Sequence, residues 1–246
     1  MIPSEEVHAA DWIRERLHGW AVDMGSVIPE GFAAYARIFH PASRAHMVEW
    51  RWSDVAAANG RIVHPEMQFH SIAAPRAGHG TAGEKWYGPR EGTMSPGQLQ
   101  ALIPLLAART STPERCWLCV WEGYGYFTPG AIASLTFGGP PPPPPPRPKV
   151  PSGRVRLPGR DYLLFTCPVT AAGVSSDPDD FAMDDGPNLW WPDDRAWCVA
   201  SEIDFPYTYV GGSARLIDEI LADPSIEALP ATIHDRITAD GDRVNT

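Results

Sequence analysis

The sequence RAWCVASEIDF, residues 195–205, decides how the fold is interpreted, because its two alternating sets of residues differ in character. One set is mostly large and apolar and consists of Trp197, Val199, Ser201, Ile203 and Phe205. The other ends in two acids, Glu202 and Asp204. A period of two is typical of a β-strand whose faces meet different environments. We therefore predict a strand over residues 196–205, with both acids on the face that does not pack into the core.

Other stretches predict a mixture of strands and helices around this strand. Further strands are expected near residues 33–40, 47–52, 115–122 and 161–169. Helices are expected over residues 5–18 and 54–60, after Ser95-Pro96 with a kink or division at Pro104, and from Ser213 to Asp223-Pro224. The strands do not alternate regularly with helices. This order predicts an α+β fold with a mixed or largely antiparallel sheet flanked by three or four helices.

A run of seven prolines, Pro140 to Pro146, interrupts the chain between predicted strands. Such a run adopts a polyproline II rod, since proline has no N–H to donate to a sheet. We interpret residues 138–153 as a proline-rich loop inserted into a single α+β domain that spans residues 1–246. A ligand for a domain of the SH3 or WW type is the alternative interpretation of the rod.

Charge is distributed unevenly within a formal net charge of −10. Residues 161–246 contain 17 Asp and Glu against 4 Arg. An acidic surface argues against nucleic-acid binding, which depends on Lys and Arg, and favours a basic protein, a cationic ligand or a metal ion. A solvated acidic surface without a partner is the alternative.

Composition also bears on location. The sequence contains no apolar run long enough for a membrane helix, and its acidic N-terminus is unlike a signal peptide. The four cysteines lie in apolar, strand-like stretches, which favours small buried side chains in a reducing compartment. We therefore expect a soluble cytoplasmic protein without a membrane partner.

Two predicted strands share the pattern R-x-W-x4-E, which ends at Glu122 in one and at Glu202 in the other. The two glutamates would lie close together if the strands were parallel neighbours, and apart if they were antiparallel. Together with Asp204 they are candidate catalytic residues of a carboxylate-dependent or metal-assisted hydrolase. Independent charges at strand ends are the alternative. We expect an arginine of the N-terminal part, such as Arg51 or Arg115, or a bound group to neutralise Glu202 and Asp204.

The common catalytic motifs are absent from the sequence. Cys116 and Cys119 form a C-x-x-C motif, but they lie within a predicted strand and would point to opposite faces. His64 and His70 form the nearest histidine pair, and such a pair is more often structural than metal-binding. No nucleophile elbow, Walker A or G-x-G-x-x-G motif occurs. We predict no metal site and no cofactor.

The segment PNLWWPDDRAW, residues 187–197, combines aromatic and acidic residues at high density. It predicts an aromatic pocket bordered by carboxylates, suited to a cationic or sugar-like ligand through stacking and cation–π contacts. The candidate binding residues are Trp121, Tyr124, Trp190, Trp191, Asp193, Asp194, Tyr207 and Tyr209. A Trp-rich core with Arg195 paired to Asp193 or Asp194 is the alternative.

Four segments carry a resemblance to a known family: GFAAYARIFHP (31–41), CWLCVWEGYG (116–125), DYLLFTCPV (161–169) and PNLWWPDDRAWCVASEIDFPYTYVGGS (187–213). Together they resemble an uncharacterised family of actinobacterial hypothetical proteins over most of residues 25–225. The resemblance implies one intact fold and an intracellular setting, and it implies no mechanism. We expect a binding or interaction protein, with the hydrolase as the alternative and a purely structural role as the third possibility.

Overall fold

A nine-stranded sheet with antiparallel pairing forms the centre of the molecule. The structure, a computed structural model, describes residues 1–44, 48–76, 86–124, 150–172 and 186–246. The strands are β1 (Ile2–Pro3), β2 (Ala34–Phe39), β3 (Ala42–Arg44), β4 (Val48–Trp50), β5 (Cys116–Trp121), β6 (Val155–Leu157), β7 (Arg160–Cys167), β8 (Leu189–Pro192), β9 (Cys198–Ala200), β10 (Tyr207–Gly212) and β11 (Ala228–Ala231). The sheet order is β1-β7-β5-β8-β9-β10-β2-β11, with β6 also paired to β7. The prediction of an α+β fold with a largely antiparallel sheet is confirmed.

The helices begin where the sequence offers a cap. They are α1 (Asp11–Arg14), α2 (Trp52–Ala58), α3 (Phe69–Ala73), α4 (Pro96–Ala107) and α5 (Ala214–Ala222). The Ser95 side chain accepts from the Gln98 backbone N–H before α4, and the Ser213 side chain accepts from the Leu216 N–H before α5. Pro104 does not divide α4. No helix of the described ranges combines the length and the apolar character needed to cross a membrane.

Helices and loops cover both faces of the sheet, so its central strands are buried on both sides. The helices α4 and α5 pack on one face, whereas the N-terminal segment, α2 and α3 cover the other. Consecutive Trp190 and Trp191 point to opposite faces, and each is only 1% exposed. The sheet is therefore the middle of three layers.

The four cysteines belong to this core, as expected. All four are buried free thiols. Cys116 and Cys119 point to opposite faces of the sheet, as predicted. Burial raises the pKa of Cys116 and Cys119, and it raises the pKa of Cys167 to about 11. The thiols are therefore protonated at neutral pH and unsuited to thiolate chemistry.

Several predicted element boundaries are wrong. The strand expected over residues 196–205 contains only β9, because the chain then turns, with the Phe205 N–H donating to the Glu202 carbonyl. The segment expected near 47–52 pairs only with β3, in a separate two-stranded sheet. The helix expected over 5–18 reduces to a 3₁₀ turn followed by the short α1.

The proline run lies outside the described residues, as does most of the predicted inserted loop 138–153. The acidic stretch 173–185 also lies outside them. The single domain and the inserted proline-rich loop therefore stay predictions.

Candidate binding site around Arg37

One arginine neutralises the two acids of residues 195–205. The Arg160 Nε donates to Glu202 Oε1 at 2.7 Å, and its Nη2 donates to Asp204 Oδ2 at 2.6 Å. The Glu202 side chain is 8% exposed and the Asp204 side chain 71%. The two acids therefore form one ion-pair network that is buried at one end and exposed at the other.

Arg160 follows a tight turn at Pro158-Gly159 and begins β7. Its guanidinium carbon lies 5.3 Å from the ring centres of Trp20 and of Trp121. Gly159 has a φ of +81°, and a Cβ there would lie 2.3 Å from the Trp20 ring, so only glycine fits the turn.

The expectation that Arg51 or Arg115 neutralises these acids is wrong. Arg51 donates to the Pro224 carbonyl, and Arg115 binds the Glu6 carboxylate at 3.0 Å. Both arginines therefore have partners elsewhere, and Arg160 supplies the positive charge instead.

Glu122 does not join Glu202 in one site. The strands β5 and β9 run in the same direction, but β8 lies between them. Glu122 binds the Arg154 guanidinium at 2.6 Å. Asn188, at the start of β8, links β5 to the segment after β9. Its side chain accepts a hydrogen bond from the Trp121 N–H and donates one to the Ser201 carbonyl. Glu122 is therefore paired with Arg154, whereas Glu202 and Asp204 share Arg160. None of the three predicted catalytic carboxylates is left without an arginine partner.

Most of the predicted aromatic pocket is hydrophobic core. Trp190, Trp191, Tyr207 and Tyr209 are each 1% exposed. These four side chains therefore pack mainly inside the core rather than on an exposed surface. This part of the sequence therefore matches the alternative of a Trp-rich core.

The remaining residues of that predicted pocket have local structural contacts. The half-buried Trp121 and Tyr124 rings contact each other edge to face at 5.4 Å. Asp193 accepts from the Trp117 indole N–H at 2.8 Å, and Asp194 accepts from Ser111 N at 2.6 Å. The predicted pair between Arg195 and these acids does not form in the structure; the Arg195 guanidinium lies 5.6 Å from the Trp12 ring centre instead.

Ser201, Thr208 and His40 form a hydrogen-bonded chain that resembles a catalytic pair but lies inside the core. Thr208 Oγ1 lies 2.8 Å from His40 Nε2 and 2.6 Å from Ser201 Oγ, while His40 Nδ1 lies 2.7 Å from the Arg90 carbonyl. Burial lowers the pKa of His40 to about 4, so the ring is neutral, with Nδ1–H donating to the carbonyl and Nε2 accepting from Thr208. Thr208 and His40 are 0% exposed and Ser201 3%, so the hydroxyls and the imidazole belong to the buried core.

Arg37 is a buried cation without a carboxylate partner in the described part of the chain. It lies in β2 opposite Tyr209 of β10 and is 1% exposed. Its Nη1 donates to the Pro65 carbonyl at 2.5 Å, and its guanidinium carbon stacks 3.6 Å from the Tyr207 ring centre. Among the described residues, its Nε and Nη2 have no hydrogen-bond partner of ordinary geometry. Buried charges are normally paired, so two unmatched donors on one guanidinium are an exception that needs an explanation.

The neighbours of Arg37 are polar groups that are also incompletely paired. The Gln68 amide nitrogen and the Tyr209 hydroxyl have no hydrogen-bond partner among the described residues. Burial raises the pKa of Tyr207 and of Tyr209, although the Arg37 charge opposes this effect. Both phenols are therefore neutral at pH 7 and do not compensate the charge of Arg37.

An open pocket of about 280 Å³ lies beside this polar group; Gln68 and Tyr207 line it, whereas Arg37 and Tyr209 do not. Gln68 and Tyr207 are its buried polar lining residues, and apolar walls come mainly from Phe69, Pro89, Phe205, Pro206 and the buried Ile237. Two exposed acids, Glu91 and Asp204, lie at its mouth. The size and the few polar groups on mostly apolar walls are typical of a small-molecule site. The Asp242 carboxylate accepts from the Gln68 backbone N–H at 3.2 Å and so fixes one buried wall.

Of the predicted binding residues, only Tyr207 lines this pocket, together with the predicted catalytic Asp204. The sequence did contain a signal for Arg37, because a charge inside the apolar strand YARIF shares its face with Tyr35 and Phe39. Gln68 carried no comparable signal.

The chain was compared with known protein families, with curated proteins and with solved structures, and none of these comparisons finds a match. The resemblance to the actinobacterial family therefore stays a prediction.

Proposed function

We propose that this protein binds a small organic molecule through a carboxylate group that pairs with Arg37. The observation that carries this proposal is the pair of unmatched donors, Nε and Nη2, on a cation that is 1% exposed beside a pocket. A carboxylate accepting from both donors would neutralise the charge and satisfy both N–H groups.

The same edge of another arginine already binds a carboxylate in this way. Arg109 donates from its Nε to Glu219 Oε2 at 2.9 Å and from its Nη2 to Glu219 Oε1. This bidentate pair shows the geometry that a ligand carboxylate would adopt at Arg37. The Gln68 amide nitrogen and the Tyr209 hydroxyl offer further donors to the same group.

The charge at the mouth of the pocket limits the class of ligand that can bind. Glu91 would repel a second negative group, which disfavours polyanions such as nucleotides and dicarboxylates, whereas Arg160 offsets the charge of Asp204. Glu91 favours an amino group at the far end of the ligand. An amino acid or similar zwitterion with an apolar body fits both charges and walls best.

The sequence predicted a binding protein, and the proposal retains this class of function. The group that the protein would recognise is a carboxylate instead of a cation or a sugar. Glu202 and Asp204 are neutralised by Arg160, so they do not favour the cationic or sugar-like ligand or the basic protein expected earlier. The alternative of a hydrolase would require Glu122, Glu202 and Asp204 in one site, but Glu122 pairs with Arg154 and only Asp204 of the three lines the pocket.

The test is Arg37→Met, assayed with a panel of amino acids, monocarboxylates and dicarboxylates by thermal shift and calorimetry. Methionine has a similar volume and removes an uncompensated buried charge, so the folded state should be as stable as the wild type or more so. Binding of the best monocarboxylate should weaken at least about tenfold. Arg16→Met is the matched control, because Arg16 is an exposed arginine over the Trp12 ring.

Two results would overturn the proposal. One is a panel in which no monocarboxylate or amino acid stabilises the wild type. The other is binding that Arg37→Met leaves unchanged. A large loss of stability in Arg37→Met would assign Arg37 a structural role instead.

A further inference from the structure

We propose that His18, Asp23 and His234 form a binding site for one divalent transition-metal ion, with Zn²⁺ as the best match. The site is independent of the Arg37 pocket, and its residues come from opposite ends of the chain.

One carboxylate lies between two imidazoles. His18 Nδ1 is 2.6 Å from Asp23 Oδ1, and His234 Nδ1 is 3.1 Å from Asp23 Oδ2. The rings stack at 5.5 Å between centres and 25° between planes, and the three ligand atoms all lie within 4.8 Å of one another. Two imidazole nitrogens and one carboxylate oxygen are ligands that Zn²⁺ prefers.

Glu30 lies on the outer side of His18, where a partner for a metal-bound histidine is expected. Its Oε2 lies 3.6 Å from His18 Nε2, the ring nitrogen that faces away from Asp23. Metal binding would displace the proton that His18 Nδ1 donates to Asp23, and a carboxylate on the Nε2 side favours the tautomer with its proton on Nε2. The arrangement is thus a carboxylate–histidine–metal series with the metal position between His18, Asp23 and His234.

The backbone fixes the ligands before any metal binds. The His18 N–H donates to the Gly25 carbonyl at 2.8 Å, and the Gly25 N–H donates to the Ile233 carbonyl at 2.9 Å. A Cβ on Gly25 would lie 2.3 Å from the His18 ring, so glycine leaves the space that the imidazole fills. Both histidine segments are therefore held in place by contacts outside the ligand set.

Access and charge also fit a metal ion. The His234 side chain is 77% exposed while Asp23 is 13% exposed, so solvent reaches one side of a site whose acid is largely buried. A fourth coordination position can then hold water. Two neutral histidines and one aspartate leave a divalent ion with one positive charge, and Glu30 offsets it from the outer position.

Ordinary His–Asp pairs elsewhere in the chain provide the contrast. His8 contacts Asp11 at 2.9 Å, and His64 contacts Asp242 at 2.8 Å. In each of these pairs the structure shows one histidine per carboxylate. The second imidazole on Asp23 is the feature that turns a pair into a set of metal ligands.

The separation of the ligands along the chain explains why no metal site was predicted from the sequence. Asp23 and His234 are 211 residues apart, and no short spacing motif links them. A bound ion would join the N-terminal segment to residues 232–237 and stabilise the folded chain.

The experiment uses the full chain stripped with a chelator and titrated with Zn²⁺ by calorimetry, and with Co²⁺ followed by visible absorption. We expect one ion per chain, the absorption of four-coordinate Co²⁺ and a rise in melting temperature on adding Zn²⁺. His234→Ala removes an exposed ligand, so the protein should fold, and its affinity should fall at least about tenfold. His8→Ala, which breaks an exposed His–Asp pair, should bind as the wild type does.

Absence of saturable binding with one ion per chain would overturn the proposal. Equal affinity in His234→Ala and His8→Ala would overturn it as well. Asp23→Asn should abolish binding, and if that variant does not fold, the comparison of the two histidine variants still decides.

Discussion

Replacing Arg160 by methionine should destabilise the protein strongly, because it leaves the Glu202 carboxylate buried without a counter-charge. Methionine keeps most of the apolar contact with Trp20 and Trp121, so the change removes mainly the charge and its hydrogen bonds. The Glu202 side chain is only 8% exposed. Breaking such a buried pair by removing one partner costs about 3–5 kcal/mol.

The two carboxylates that share Arg160 should differ in their effect. Asp204→Asn should cost less than about 1 kcal/mol, since that side chain is 71% exposed and water screens its charge. Adding Glu202→Gln to Arg160→Met removes both buried charges and should recover most of the lost stability. The double-mutant cycle should therefore give a coupling of about 2 kcal/mol or more.

Urea unfolding at neutral pH measures these differences as shifts in the unfolding midpoint. Arg156→Met is the matched control, because Arg156 lies in the same hairpin and pairs with Asp161 at 3.9 Å while 79% exposed. Its stability should change by less than about 0.5 kcal/mol. If Arg160→Met matched Arg156→Met, the argument from burial of Glu202 would be refuted.

The remaining predictions concern a buried acid and a buried histidine. Asp242→Asn should cost about 2–4 kcal/mol in urea unfolding, because the carboxylate accepts from His64, Gln68 and Asn245, and an amide would leave buried donors unmatched. Burial alone would raise the pKa of Asp242, but hydrogen bonds from Asn245, Gln68 and His64 hold it at about 2. The contribution of Asp242 to the free energy of unfolding should therefore be full above about pH 4 and lost as the pH falls towards 2. The difference in unfolding free energy between the wild type and Asp242→Asn, measured at each pH, would show this loss. A difference that stays constant with pH would contradict the prediction. The buried His40, with a pKa of about 4 against 6.5 unfolded, should make stability fall by up to about 3 kcal/mol between pH 6.5 and 4, a slope that His40→Gln should lack.

The fold class could be predicted from sequence because caps and periodicity are local signals. Ser95 and Ser213 marked α4 and α5, and the apolar run that ends at Pro41 marked β2. The strands β8 and β10 were missed, since both are buried on two faces and show no alternation. The residues LWWP and YTYVGG therefore resembled ligand-binding aromatic segments, although they form the centre of the sheet.

The sites were harder to predict because their members are distant in sequence. The partner of Glu202 and Asp204 could not be identified, since Arg160 reaches them only after β7 is placed in the sheet. Arg37 was visible as a charge in an apolar strand, but its missing partner becomes evident only when every neighbour is known. A sequence shows residue types, whereas an unmatched donor is a property of the packed structure.

The outer edges of the sheet bear on how copies of this chain behave at high concentration. The Phe39 N–H donates to the Glu227 carbonyl beside β11. Hydrogen-bonded pairs alternate along an antiparallel ladder, so Pro230, which is opposite Ala36, turns its nitrogen away from β2.

The opposite edge follows the same rule. The Ser4 N–H donates to the Leu164 carbonyl, so the preceding Pro3, opposite Phe165, turns its nitrogen away from β7. Each edge therefore presents a proline nitrogen where another strand would require an N–H donor. The ladder cannot continue from one molecule into the next at these positions, which protects an open sheet against edge-to-edge aggregation.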